Sequence, residues 1–131
     1  MSSRKRSVRI TTAPRPVGPY SQGIVGGGLI FTAGFGPQDP VTGEVAEGVE
    51  EQTRQVLRNI SAVLAEAGAA LGDVVKATVH LQHLHRDYDA FNRAYREFFV
   101  EPYPVRTTVG SELQHILVEI DVVALAPAPS S

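Results

Sequence analysis

No cysteine occurs anywhere in the 131 residues. That absence excludes disulfide staples, thiolate nucleophiles and cysteine-zinc sites, and it leaves the redox compartment unreadable from composition. Charge of one sign is also scarce. Twelve basic against 14 acidic side chains leave a formal charge of -2, so the broad positive field that nucleic acid or an anionic membrane surface requires is missing. No apolar run approaches the roughly 18 residues of a membrane span, and the start, Met1 to Ser7, lacks the apolar stretch of a secretory signal. A soluble, cytoplasmic protein is expected, with neither a membrane nor nucleic acid as partner. No serine sits in a nucleophile elbow. The triple glycine 26 to 28 leads into strand-like rather than helix-like sequence, so the helix N-terminus of a phosphate cradle is absent too.

What is present suffices for one compact core: 43% of the residues are apolar. Residues 1–7 are polar and basic, and residues 126–131 are proline- and serine-rich. Both read as flexible tails around a single domain, 8–125. Alternation in Val8 to Thr11, and the short apolar runs Gly23 to Val25 and Leu29 to Thr32 on either side of the glycine cluster, predict a meander of strands. From Val49 the apolar positions 49, 53, 56, 57, 60, 63, 64 and 67 keep a 3.6 period, and Gly68 is a natural stop for that helix. Val74 to Leu81 reads as a central strand with Val75, Ala77, Val79 and Leu81 on the covered side. A second helix is predicted with Asp87 as N-cap and Tyr88, Phe91, Tyr95, Phe98 and Phe99 on one stripe, ended by Pro102 and Pro104. Closing strands fall near 106–109 and 117–125. Two helices covering one face of a mixed sheet make an α+β two-layer sandwich. The other face carries Leu117, Val123 and Leu125, too apolar for free solvent, and self-association through the sheet is the expected cover.

The four histidines do not add up to a metal site: His80 falls in mid-strand, His83 and His85 in a loop, and no carboxylate has ligand spacing with them or with His115. No metal is expected. Polar residues stand instead at points of structural punctuation: Tyr20 after Gly18-Pro19, Gly34 after a strand, Asn92 on the aromatic helix, Arg106 after Pro104, and Asp121 in the last strand. A guanidinium grips a carboxylate at two points, and an acid near it can handle a water.

With these residues the chain resembles the Rid family, the reactive intermediate deaminases also called the YjgF family. The likeness rests on ordered blocks: Gly18-Pro-Tyr-Ser-Gln-Gly23, Phe31-Thr-Ala-Gly34, Asp39-Pro-Val-Thr-Gly-Glu-Val45, the stretch Gln52 to Gly68, Gly72-Asp-Val-Val-Lys-Ala-Thr-Val79, Phe91-Asn-Arg-Ala-Tyr-Arg-Glu-Phe-Phe99 and Tyr103-Pro-Val-Arg106. The resemblance implies a chorismate-mutase-like fold, a homotrimer packed through the sheets with clefts between subunits, and cofactor-free hydrolysis of 2-imino and 2-enamino acids such as 2-iminobutanoate and 2-iminopropanoate. It implies that Arg106 clamps the substrate carboxylate and that Tyr20, Asn92 and Gly34 line the cleft. Counted without gaps from Arg106, Asp121 takes the place of the family's water-holding glutamate, and Glu119, two residues away on the same strand face, is the competing carboxylate. Thr108 replaces the usual cysteine. Ala33 and Phe35 replace a Ser and a Gln, which implies a more apolar pocket with a shifted substrate preference. Gly110-Ser-Glu-Leu-Gln-His115 departs from the family's proline-containing loop. A non-catalytic trimer that binds small carboxylates in the same clefts is the alternative, since Arg106 suffices for binding. A ribonuclease reading, attached by name to some relatives, finds no basic stripe in this chain.

Overall fold

The computed structural model describes residues 4–128. Six strands form one sheet in the order β1-β2-β3-β6-β4-β5, comprising β1 (Arg6–Val8), β2 (Gly23–Gly26), β3 (Leu29–Thr32), β4 (Val74–Leu81), β5 (Val105–Gly110) and β6 (Val118–Leu125). Helices α1 (Val49–Glu66) and α2 (Leu84–Arg96) lie side by side on one face, and only the β4–β5 pair is parallel, as a connection through α2 requires. This is the mixed sheet with one helical layer that the sequence predicts.

The covered face is a tight apolar layer: Ala77, Val79, Leu81, Val118, Ile120 and Val122 of the sheet meet Leu57, Ile60 and Leu64 of α1 and Phe91 of α2, all at most 1% exposed. Burial of that surface is the main source of stability. On the other face Phe31, Val105, Val109 and Leu125 are exposed. An open apolar face is present, but of the three residues expected on it only Leu125 is exposed: Val123 is half-buried and Leu117 packs against the core.

Several elements depart from expectation. The first strand is Arg6–Val8 rather than 8–11, so Arg6 and Ser7, expected in a tail, pair with Val25 and Ile24. At the other end Ala126, also expected in a tail, donates its amide to the Gly28 carbonyl at 3.0 Å and packs against the core. Residues 1–3 and 129–131 lie outside the described residues. In β4 a bulge between Val74 and Lys76 turns Val75 outward and buries Val74 in its place. Helix α2 begins three residues before Asp87, with His83 as N-cap, and Asp87 sits inside its first turn, buried and paired with Arg86 at 2.8 Å. The helix ends at Arg96, so Phe98 and Phe99 follow it, yet Phe99 still continues the expected stripe by stacking on Tyr95, with ring centres 4.5 Å apart. Gly68 ends α1 as expected, with φ 84°.

Buried amides fix the loops that later form the site. The Asn59 side chain on α1 donates to the carbonyls of Gly36 and Gln38, at 3.1 and 3.0 Å. Gln52 donates to the carbonyl of Ala46 and accepts from the amide of Leu117, at 2.9 and 2.8 Å. Each amide ties a loop beyond a strand end back to α1.

Candidate functional site

The loop between β1 and β2 is held from within by Gln22, which is 2% exposed. Its Oε1 accepts from the Ile10 amide at 2.7 Å, and its Nε2 donates to the carbonyls of Ile10, Pro14 and Ala13 at 3.1, 2.9 and 3.3 Å. At the rim of this loop Tyr20 is fixed by its own amide, which donates to Gly18, and by its hydroxyl, which accepts from the Val17 amide.

Beyond β3 the chain makes a two-bond bridge between Phe35 and Ile120, at 2.8 and 3.1 Å. The bridge turns Phe35 into the core, where it is 5% exposed. Phe35 therefore packs mostly in the core and also borders a cleft beside Gly34 and Glu119. Gly34, next in line, presents the opposite side, and a Cβ placed there would lie 2.8 Å from Oε2 of Glu119. Only glycine lets that carboxylate rest against the strand end. Tyr20, Ala33, Gly34 and Glu119 line a cleft of about 610 Å³ with Lys5 at its edge, and Tyr20, Gly34 and Glu119 also border a second of about 570 Å³.

Arg106 lies elsewhere. It is in register with Ala77 on the helical side of the sheet, at the β5 edge. Its guanidinium carbon stands 4.8, 5.2 and 5.9 Å from the ring centres of Tyr95, Phe91 and Tyr88, and one nitrogen donates to the Tyr88 hydroxyl at 3.4 Å. No carboxylate pairs with it among the described residues. Three aromatic rings hold the cation in place and leave its fork without an internal anion. Asn92, Tyr95, Arg96, Tyr103 and Pro104 complete a pocket of about 260 Å³ around it. Burial pushes the Tyr95 phenol up, with the neighbouring Arg106 opposing, and among the described residues no group stands in good hydrogen-bond geometry to its hydroxyl. Thr108, two residues beyond Arg106, shares its side of β5.

Asp121 joins neither group. It is opposite Thr78 on the open face, while Arg106 is on the helical face with β4 between them. Burial pushes its carboxyl up, partly offset by His80 and Lys76. The pairing of Arg106 with Asp121 expected from sequence is therefore absent within one chain. His80 places Nδ1 2.6 Å from the Ser111 hydroxyl, and among the described residues no three His, Asp or Glu side chains are grouped to hold a metal. No helix among them is long and apolar enough to cross a membrane.

Two positions escape a reading by residue type. Glu119 stands as a mere competitor because an ungapped count from Arg106 runs through the divergent loop 110–115, where a length difference of two residues moves the count from one carboxylate to the other. Tyr95 looks like one more ring of an aromatic stripe, yet Asn92, Tyr95 and Arg96 at i, i+3 and i+4 share a helix surface. That spacing was the available signal.

Comparison with known proteins agrees with this architecture. A family model described as Endoribonuclease L-PSP matches residues 10–126. A RutC family protein of Pyrococcus abyssi is 49% identical over 115 residues, covering 86% of this chain and 90% of that protein. The 2-iminobutanoate/2-iminopropanoate deaminase of Salmonella typhimurium is 38% identical over 124 residues, covering 92% and 96%. Among solved structures, E. coli TdcF with bound serine superposes with a TM-score of 0.86 at 34% identity, covering 93% of this chain and 99% of that one. RidA from a Psychrobacter species gives 0.87 at 34%, covering 92% and 98%. With the six-stranded sheet, the single helical layer and the matched length all in agreement, the chain belongs to the Endoribonuclease L-PSP family, the Rid or YjgF family that its sequence blocks resemble.

Proposed function

We propose that the protein hydrolyses 2-imino acids to 2-oxo acids and ammonia, without a cofactor. The observation that carries the reading is Arg106, a guanidinium fixed by three rings and unpaired with any internal acid, the state in which a two-point grip on a substrate carboxylate costs least reorganisation. Glu119 against Gly34 supplies the second requirement, a carboxylate beside an open cleft. In this scheme Glu119 orients a water and takes one of its protons as the oxygen adds to the imine carbon. The C=N electron pair moves to nitrogen, and Glu119 returns the proton there. The resulting carbinolamine loses ammonia as its hydroxyl proton passes to the leaving nitrogen, and the 2-oxo acid remains. Tyr20 closes the cleft over the substrate, and Asn92 orients it beside Arg106. Glu119 replaces Asp121 in the role that the ungapped count suggests.

Because Arg106 and Glu119 lie on opposite faces of the sheet in one chain, the complete site needs a second copy. A trimer packed through the open faces would bring the β5 edge of one subunit to the Gly34 cleft of the next and would bury Phe31, Val105 and Val109. The name of the 38% identical Salmonella relative supports the reaction. The endoribonuclease description of the family has no counterpart in a chain of net charge -2.

The test generates 2-aminoacrylate or 2-aminocrotonate in situ with a dehydratase and follows 2-oxo acid release. Release above the spontaneous rate is expected, and Arg106→Lys, which keeps the charge but loses the planar fork, should lower kcat/KM by about tenfold or more. Release at the spontaneous rate with 2-oxo acid binding retained would replace the deaminase by the carboxylate-binding reading.

A further inference from the structure

The arginines of the helical layer divide into two groups. Arg54 pairs with Glu97, Glu50 and Glu51, Arg58 with Glu51, Arg86 with Asp87 and Arg93 with Glu50. Arg96 and Arg106 have no carboxylate within pairing distance among the described residues, and both line the same pocket of about 260 Å³. Four neighbouring cations are neutralised locally, and the two left over face one cavity. A single carboxylate on Arg106 would leave the second positive charge uncompensated in that cavity.

We propose that the Arg106 pocket takes a dianion: a 2-imino acid, and the corresponding 2-oxo acid, whose side chain ends in a second carboxylate. Arg106 holds the 1-carboxylate against its aromatic cradle, and Arg96 meets the distal one. The lining fits that division. Asn92 and Arg96, one turn apart on α2, place an amide near the reacting end and a cation farther along the helix, while Tyr103 and Pro104 wall the opposite side. The volume suits a small acyclic metabolite rather than a nucleotide. Arg96 is exposed and hydrated, so its contribution is one of selectivity between ligands more than of raw affinity. Naming the ligand an imino acid rests on the deaminase reading, whereas the preference for two negative charges rests only on the pocket.

The test is therefore a binding experiment. Calorimetry on the parent protein at low ionic strength compares 2-oxoglutarate with 2-oxobutanoate, both in the product class. A Kd about two- to fivefold lower for the dicarboxylate is expected, the range of an exposed charge contact. The ratio should shrink as salt rises past about 0.1 M, fall to about one in Arg96→Gln, be largely kept in Arg96→Lys and reverse in Arg96→Glu. Equal affinities in the parent, or a preference that Arg96→Gln leaves in place, would overturn the proposal. The two readings fail separately: a dicarboxylate preference without imine turnover removes the deaminase and keeps the dianion site, turnover without the preference does the reverse, and no binding of either acid removes the pocket as a carboxylate site.

Discussion

Glu119 and Asp121 sit two residues apart on one face of β6, roughly 6.8 Å from each other, and their surroundings differ in kind. Glu119 rests against a glycine at the edge of an open cleft, whereas Asp121 lies mid-sheet between β4 and the end of β3. Glu119→Gln is expected to abolish imine turnover while sparing 2-oxo acid binding, because Arg106 still holds the carboxylate. Asp121→Asn should leave measurable turnover, and turnover that survives in the first variant but vanishes in the second would restore the opposite assignment. Asp121 also has a pH signature. Its carboxyl is raised above 3.8 by burial, so the folded state binds its proton more tightly than the unfolded state does. The stabilisation by that proton is complete below the unfolded value and is lost as pH rises through the folded one. Asp121→Asn, which imitates the protonated form, should therefore melt higher than the parent near pH 7, with the two curves converging as pH falls below the unfolded value. A melting difference that grows toward acid would contradict the sign. Residue types alone identify Arg106, Tyr20, Asn92 and Gly34 as notable. They cannot choose between two acids on one strand face, because that choice depends on which neighbouring strand ends there.

At the scale of elements, periodicity locates both helices and most strands, and the misses are local. The Val75 bulge breaks a period of two that the letters Val-Val-Lys-Ala do not reveal, since either valine can be the buried one. Asp87 has the chemistry of an N-cap, but Leu84 adds an apolar contact that starts the helix a turn earlier. Loop latches are harder still to read. Gln22 appears in the sequence as one polar letter in a glycine-rich block, and its role comes from four backbone partners between residues 10 and 14. Gln22→Leu keeps the volume and leaves those backbone groups without their partner, at a cost of about 2 kcal/mol. The Ile10 amide should then exchange with solvent markedly faster, and KM for the imine should rise as the Tyr20 rim loosens. Unchanged exchange at Ile10 would mean that the loop is held by contacts other than this side chain.

At the scale of the whole molecule, the mixed sheet and its one helical layer follow from element types and covered rows, whereas the strand order β1-β2-β3-β6-β4-β5 does not, and the open apolar face is the ground for expecting a partner surface. The division of the proposed site into two halves does not follow from residue types, because it depends on which side of the sheet each strand presents. Arg106 and Glu119 face opposite ways with β4 between their strands, and no side-chain motion within a folded sheet joins them. This geometry makes a sharp prediction about mixed oligomers. Arg106→Ala and Glu119→Gln should each be inactive alone. If each cleft takes its arginine from one subunit and its glutamate from the next, co-refolding the two in equal amounts regenerates about a quarter of the clefts in a randomly mixed ring, and turnover should recover to about that share of the parent rate. Mixing without unfolding should recover nothing until subunits exchange, so the time course separates exchange from contamination. Light scattering on the same samples fixes the stoichiometry, for which three is expected. A monomer, or a mixture that stays dead after complete exchange, would place both groups of every working site in one chain and so contradict the arrangement of the sheet.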